Sequence, residues 1–220
     1  MSSIAQRFPA IVIGALLGIP RDGWGRLMRW CDAFMDFFAT VPAPFELALE
    51  AQQATIELIE YLQPLVEFRK SQPAGDVISM LLEARQEGNT LTTEELLSQC
   101  ALLLVAGHET TRNLLGNGLH TLLRHPSAIR WLRQDSSLVR SAVEEILRFQ
   151  SPVQGISRVV ATTHKLFEET LEPGQTIIVL VASANRDPVQ FPDPDRFDIE
   201  RKNNAHLTFG AGSHTCLAGC

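Results

Sequence analysis

The sequence predicts a mainly α-helical chain with a long central helix and a few short β-strands. Three observations carry that prediction. Apolar residues recur at three- and four-residue spacing through most of residues 3–150. Thr92-Thr-Glu-Glu95 is a capping box, a Thr N-cap answered by Glu three residues on, and it opens a helical pattern that runs to about Arg124. After Pro152 the pattern changes to short β-branched runs separated by turn residues.

Taken in order, residues 3–18 read as a buried helix between prolines. The apolar run Ala10–Ile19 is too short to span a membrane. It also makes a poor signal-peptide core, with Arg7 alone before it and no clear cleavage site. Residues 22–38 read as an amphipathic helix whose aromatics share one face, as core or as pocket wall. Residues 40–44 are a loop, 45–71 a long helix, and 75–87 a shorter one stopped at Gly88-Asn89. The capped pattern of about 32 residues, at ~1.5 Å each, gives a rod of about 48 Å. Its middle, Ala101–Gly107, is apolar nearly all round and is expected to be buried. Helices follow near 127–134 and 137–150. Ile156–Val160 and Thr176–Val181 read as strands, with a turn at Glu172-Pro-Gly174 between them, and 185–205 as loop.

The chain has 220 residues, 45% of them hydrophobic, and a net charge of −6. That composition suits one soluble globular domain or a piece of a larger one. The acidic balance, with no basic stripe, argues against a nucleic-acid partner. Four scattered cysteines do not form a disulfide framework and point to a reducing compartment.

The chemistry concentrates near the C-terminus, in Phe209-Gly-Ala-Gly-Ser-His-Thr-Cys-Leu-Ala-Gly219. Gly210 and Gly212 allow close backbone approach or positive φ. A thiolate at Cys216, set among backbone N–H groups, can serve as a metal ligand. His214 offers a donor beside it, and Phe209 can cover the sulfur. The alternative is a Gly-rich turn around a structural cysteine. Zinc is disfavoured, because Cys216, Cys220 and His214 lack a fourth ligand at suitable spacing. The stretch closely resembles the haem-binding loop of the cytochrome P-450 family, Phe-Gly-x-Gly-x-His/Arg-x-Cys-x-Gly/Ala, with Ala218 the less usual residue at its place.

A second constellation, Ala106-Gly-His-Glu-Thr-Thr111, breaks three local rules inside the long helix. It has a mid-helix glycine, hydroxyls that compete for backbone carbonyls, and a carboxylate in an apolar stretch. Such clustering marks a functional site; a solvated Glu in a kinked helix is the alternative. It resembles the family's motif in the central helix. The resemblance implies that Thr110 is the oxygen-activating threonine and Glu109 its acid partner. His108 and Arg112 point away from Thr110's face and take no role in that reading.

Glu145-Ile-Leu-Arg148 puts opposite charges at i and i+3. It resembles the family's Glu-x-x-Arg, and Arg196 in Pro194-Asp-Arg-Phe197 occupies the place of the third member of a buried structural triad. Arg158 sits where bacterial members bind a haem propionate, and His214 would bind propionate also. The motifs occur in the family's order, and the resemblance runs over essentially the whole chain, most weakly before residue 75.

The resemblance implies that residues 1–220 form a partial cytochrome P-450 domain of the soluble bacterial type, lacking the early helices and the helix after Cys216. It implies a cytoplasmic haem-thiolate monooxygenase with haem b (iron protoporphyrin IX). Such an enzyme inserts one oxygen atom of O2 into a small apolar organic substrate, with electrons from a ferredoxin or flavoprotein. Pocket wall is expected from Ala101–Gly107, Val153–Ile156 and Phe34–Phe38. The alternative is a non-catalytic truncated remnant that does not hold haem.

Overall fold

The computed structural model describes residues 2–40, 42–86 and 91–219. The expected helix stop at Gly88-Asn89, and Cys220, lie outside the described residues. The chain divides into two compact units, residues 1–113 and 114–220.

The first unit is helical: α1 (Ser2–Ala5), α2 (Arg7–Leu16), α3 (Trp24–Ala39), α4 (Phe45–Ser71), α5 (Val77–Gln86) and the first part of α6 (Thr93–Arg124). Its core follows the helical stripe. In α4 the buried positions are Ala51, Ala54, Leu58, Leu62 and Val66, spaced by three or four residues. They meet Leu27, Trp30 and Cys31 of α3, Ile78 and Leu82 of α5, and Leu96, Cys100 and Leu104 of α6.

Two expectations are corrected here. The segment 3–18 is not one buried helix but two, joined at Gln6, and Ile4, Phe8, Ile11, Val12 and Leu16 are exposed. In α2 a stripe of small residues, Pro9, Ala10 and Gly14, is buried with Ala5 of α1, and Leu17 just past the helix is fully buried. A Cβ on Gly14 would lie 2.8 Å from the Trp24 indole nitrogen, so small size at this position lets α2 pack closely there. Likewise α6 is not buried all round at 101–107. Leu104 is fully buried, whereas Leu102 is 59% exposed and Ala106 is exposed. Periodicity cannot choose a buried side where every side is apolar.

The capping box forms as the sequence predicts. Glu95 N–H donates to Thr92 Oγ1 at 3.1 Å, and Thr92 N–H donates to Glu95 Oε2 at 2.7 Å. Thr92→Ala is expected to lower stability by about 1 kcal/mol, read as a drop in urea midpoint at constant slope; no change would mean that the box contributes nothing.

The second unit holds the end of α6, then α7 (Pro126–Gln134), α8 (Val139–Phe149), β1 (Ile156–Val159), β2 (His164–Leu166), β3 (Glu169–Leu171), β4 (Thr176–Val179) and α9 (Val181–Ala184). Strands β1 and β4 pair antiparallel from Ile156–Val179 to Val159–Thr176. Gly174, at φ +88°, donates to Val160 O and turns the chain into β4. The β2–β3 hairpin was not expected. Its strands have three residues each and are almost wholly exposed, so they show no alternation to read. A small core of Ala128, Ala142 and Ile199, with Phe197 against it, seats the C-terminal segment on α7 and α8. Among the described residues, no helix is long and apolar enough to cross a membrane.

Candidate functional site

The cysteine loop is a short piece of irregular backbone. Gly210 and Gly212 both have positive φ, +74° and +82°, where a side chain would be strained. Gly212–His214 makes one 3-10 turn, closed by Thr215 N–H donating to Gly212 O at 3.1 Å. Cys216 N–H donates to Phe209 O at 2.8 Å, which folds the loop back on itself. The Phe209 ring lies against Gly219, where a Cβ would come within 2.7 Å, and near the His206 ring. It does not cover the sulfur as expected, since Cys216 is exposed. His214 and Leu217 are exposed beside it.

The second unit also holds a buried charge cluster. Glu145 and Arg148 of α8 have no exposed side-chain surface. Arg148 Nε and Nη2 donate to the two Glu145 oxygens at 2.8 Å each, a bidentate pair. The third arginine is Arg201, not Arg196. Arg201 Nε lies 3.1 and 3.3 Å from the Glu145 oxygens, with a side chain 8% exposed. The Arg196 side chain is 65% exposed and pairs with Asp198 at 3.5 Å. The reason is the turn before it. Asp193 has φ +49°, and Arg196 N–H donates to Asp193 O. That sends the Arg196 side chain outward and its carbonyl inward, where Arg148 and Arg201 both donate to it. Loop phase of this kind leaves no periodic signal.

Sequence reasoning also missed Asn185. It is fully buried; Oδ1 accepts from Leu207 N–H at 2.7 Å and Nδ2 donates to Thr208 Oγ1 at 3.0 Å. Thr208 in turn donates to Leu147 O, and the Asn185 carbonyl accepts from Arg148. The clamp is therefore wired to the two residues that lead into Phe209. In the sequence Asn185 reads only as the first residue of the 185–205 loop, and an Asn among turn residues carries no local sign of partners at 207 and 208.

Arg158 is exposed on β1, and its Nη1 donates to the carbonyl of Ser157. The structure gives Arg158 and His214 no shared partner among the described residues. Of the expected pocket walls, Phe38 is 64% exposed and stacks on Phe34, and Val153 and Ile156 are half-buried.

In the first unit, a Cβ on Gly107 would lie 3.0 Å from the Ile13 side chain, so the glycine lets α6 approach α2. The Thr110 hydroxyl donates to Ala106 O at 2.7 Å, one turn back. Such back-bonding leaves its oxygen lone pairs available to accept. Glu109 is buried, and its Oε1 accepts from Arg112 Nη2 at 2.7 Å and Asn113 Nδ2 at 3.1 Å. Arg112, unassigned in the sequence reading, is thus a direct partner of Glu109; the i,i+3 spacing was the available signal.

A family model described as cytochrome P-450 matches residues 26–218. The chain belongs to the cytochrome P-450 family. It is 45% identical over 210 residues to a cytochrome P-450 of Bacillus subtilis strain 168, covering 95% of this chain and 50% of that protein. It is 41% identical over 219 residues to the cytochrome P-450 monooxygenase PikC of Streptomyces venezuelae, covering 99% and 51%. Among solved structures, BioI, a cytochrome P-450 in complex with an acyl carrier protein ligated to hexadec-9Z-enoic acid, matches with TM-score 0.91 and 37% identity, over 99% of this chain and 56% of that one. The fold is that of a bacterial cytochrome P-450, mainly α with a few short strands, and the chain spans about half the length of the curated relatives it matches.

Cytochrome P-450 proteins bind haem, and the residues present fit it. Burial pushes the thiols of Cys31 and Cys100 up to about 12 and about 11, so both stay protonated and inside the core. Cys216 alone among the described cysteines is exposed, on a loop that turns at two positive-φ glycines. Among the described residues, this single accessible cysteine sulfur suits an axial iron ligand.

Proposed function

We propose that this chain carries the cysteine loop and the threonine helix of a haem-thiolate monooxygenase, with Cys216 as the axial ligand of haem b. The observation that carries this reading is the exposed Cys216 thiol on a loop entered through Leu207 and Thr208, which Asn185 ties to the buried Glu145–Arg148 pair. Bound haem supplies the activation of O2 and the insertion of one oxygen atom into a small apolar organic substrate, with electrons from a separate ferredoxin or flavoprotein. The protein's own residues do the rest. Cys216 donates electron density through its sulfur. His214, with its exposed imidazole, and Arg158, with its exposed guanidinium, hold the propionates. Phe209, Gly210 and Gly212 fix the loop that presents the sulfur. Leu102 and Ala106, exposed one turn apart on α6 and followed at the same spacing by Thr110, support an apolar substrate.

Thr110 and Glu109 manage protons. The Thr110 hydroxyl, turned back on Ala106 O, can accept from one neighbour and hand its own proton to another. Glu109 is the adjacent acid. In a full-length protein containing this sequence, Thr110→Ala is expected to keep haem content and to divert reducing equivalents to peroxide, with product per electron falling about tenfold or more. Wild-type turnover and coupling in that variant would remove Thr110 from the chemistry.

A further inference from the structure

Arg112 lies between two carboxylates. Its Nη1 donates to Asp32 Oδ1 at 2.8 Å and its Nη2 to Glu109 Oε1 at 2.7 Å. Asp32 belongs to α3, and Glu109 lies one turn before Arg112 on α6. Asn113 Nδ2 adds a second donor to the same Glu109 oxygen, at 3.1 Å. The other oxygen, Oε2, is buried and has no protein partner among the described residues. The two oxygens of this carboxylate are therefore not equivalent.

We propose that Arg112 is a positioning residue for Glu109: with Asn113 it pins Oε1, so that Oε2 is the oxygen that takes up and passes on protons, and through Asp32 it ties that orientation to α3. The proposal rests on the reading of Glu109 as the acid beside Thr110. A guanidinium is a planar fork, and here its two terminal nitrogens serve different carboxylates, so it cannot pivot toward one without releasing the other. An oxygen that already accepts two donors is a poor seat for a proton; the free oxygen of the same group is the better one. A buried polar atom without a partner costs stability and calls for a reason, and proton transfer supplies one. A proton that leaves Oε2 is replaced from solvent water, so the carboxylate returns to its starting state.

Cys31, beside Asp32, has its thiol pushed up to about 12, by burial first and then by the Asp32 and Glu109 charges. His108 turns its Nε2 to Gln6 O at 3.1 Å, and its Nδ1, like Glu109 Oε2, is buried without a protein partner among the described residues.

Two readouts test the proposal. In the 220-residue chain without haem, infrared difference spectra of wild type against Glu109→Gln isolate the Glu109 carboxyl bands. Arg112→Met should shift those bands, Asp32→Asn should shift them less, and Arg112→Lys, which can serve only one carboxylate, should fall between wild type and Met. Bands that stay in place in all three variants would overturn the proposal. In a full-length, haem-loaded protein, Glu109→Gln and Arg112→Met should each lower kcat about tenfold at nearly unchanged KM and enlarge the solvent isotope effect. If Glu109→Gln has no effect, the assignment of Glu109 as the acid fails. If Glu109→Gln slows the reaction while Arg112→Met keeps wild-type kcat and isotope effect, Glu109 stands and the role of Arg112 is overturned.

Discussion

Replacing Glu145 with alanine is expected to destabilise the second unit strongly. Glu145 has no exposed side-chain surface, and it receives Arg148, Arg201, the Asp198 backbone N–H and Asn204. Its removal strands two guanidiniums, one fully buried and one 8% exposed. Breaking one side of a buried pair costs about 3–5 kcal/mol, because the remaining charge cannot be resolvated where it lies. Typical domain stabilities are ~5–15 kcal/mol, so this one change removes a large share. The arginines give the sharper comparison. Arg201→Ala should lower the urea midpoint substantially. Arg196→Ala should change stability by no more than about 0.5 kcal/mol, since its side chain points to solvent and the carbonyl it contributes survives the substitution. Equal losses in the two variants would return Arg196 to the clamp.

Cys216→Ala, in a full-length and haem-reconstituted protein, is expected to abolish the thiolate-type Soret band of the ferrous–CO complex. The other described cysteines cannot take its place. Cys31 and Cys100 are packed in the helical core of the first unit, with thiols held protonated by burial. The stability of this variant should be close to that of wild type, because the exposed sulfur contributes no packing. That separates loss of a ligand from loss of fold. A thiolate-type spectrum in Cys216→Ala would assign the ligand elsewhere.

The fold was legible wherever the sequence is periodic or punctuated. The α4 stripe, the Thr92–Glu95 box and the β1 and β4 strands all rest on local rules that the structure obeys. It was illegible where every side of a helix is apolar. In 3–18 and 101–107 the packed side is set by neighbours, with a close approach at Gly14 and Gly107, because hydropathy alone does not distinguish the buried Leu17 and Leu104 from the exposed Leu16 and Leu102. The site was legible as motif and only partly as geometry. The Glu145–Arg148 pair follows from helical spacing, whereas the exchange of Arg196 for Arg201 depends on a positive φ at Asp193 that no spacing announces. Asn185 was passed over because its partners, Leu207 and Thr208, lie more than twenty residues away. The pairing of Arg112 with Glu109 was within reach of the i,i+3 rule; attention to the Thr110 face alone hid it.

The central claim is that the Cys216 sulfur binds haem iron. Its most direct test is the iron–sulfur stretching band in the resonance Raman spectrum of a full-length, haem-loaded protein grown with heavy-sulfur cysteine. The band should be present, should move to lower frequency with the heavier isotope, and should vanish in Cys216→His. A band that ignores the isotope, or that persists after Cys216 is replaced, would contradict the assignment.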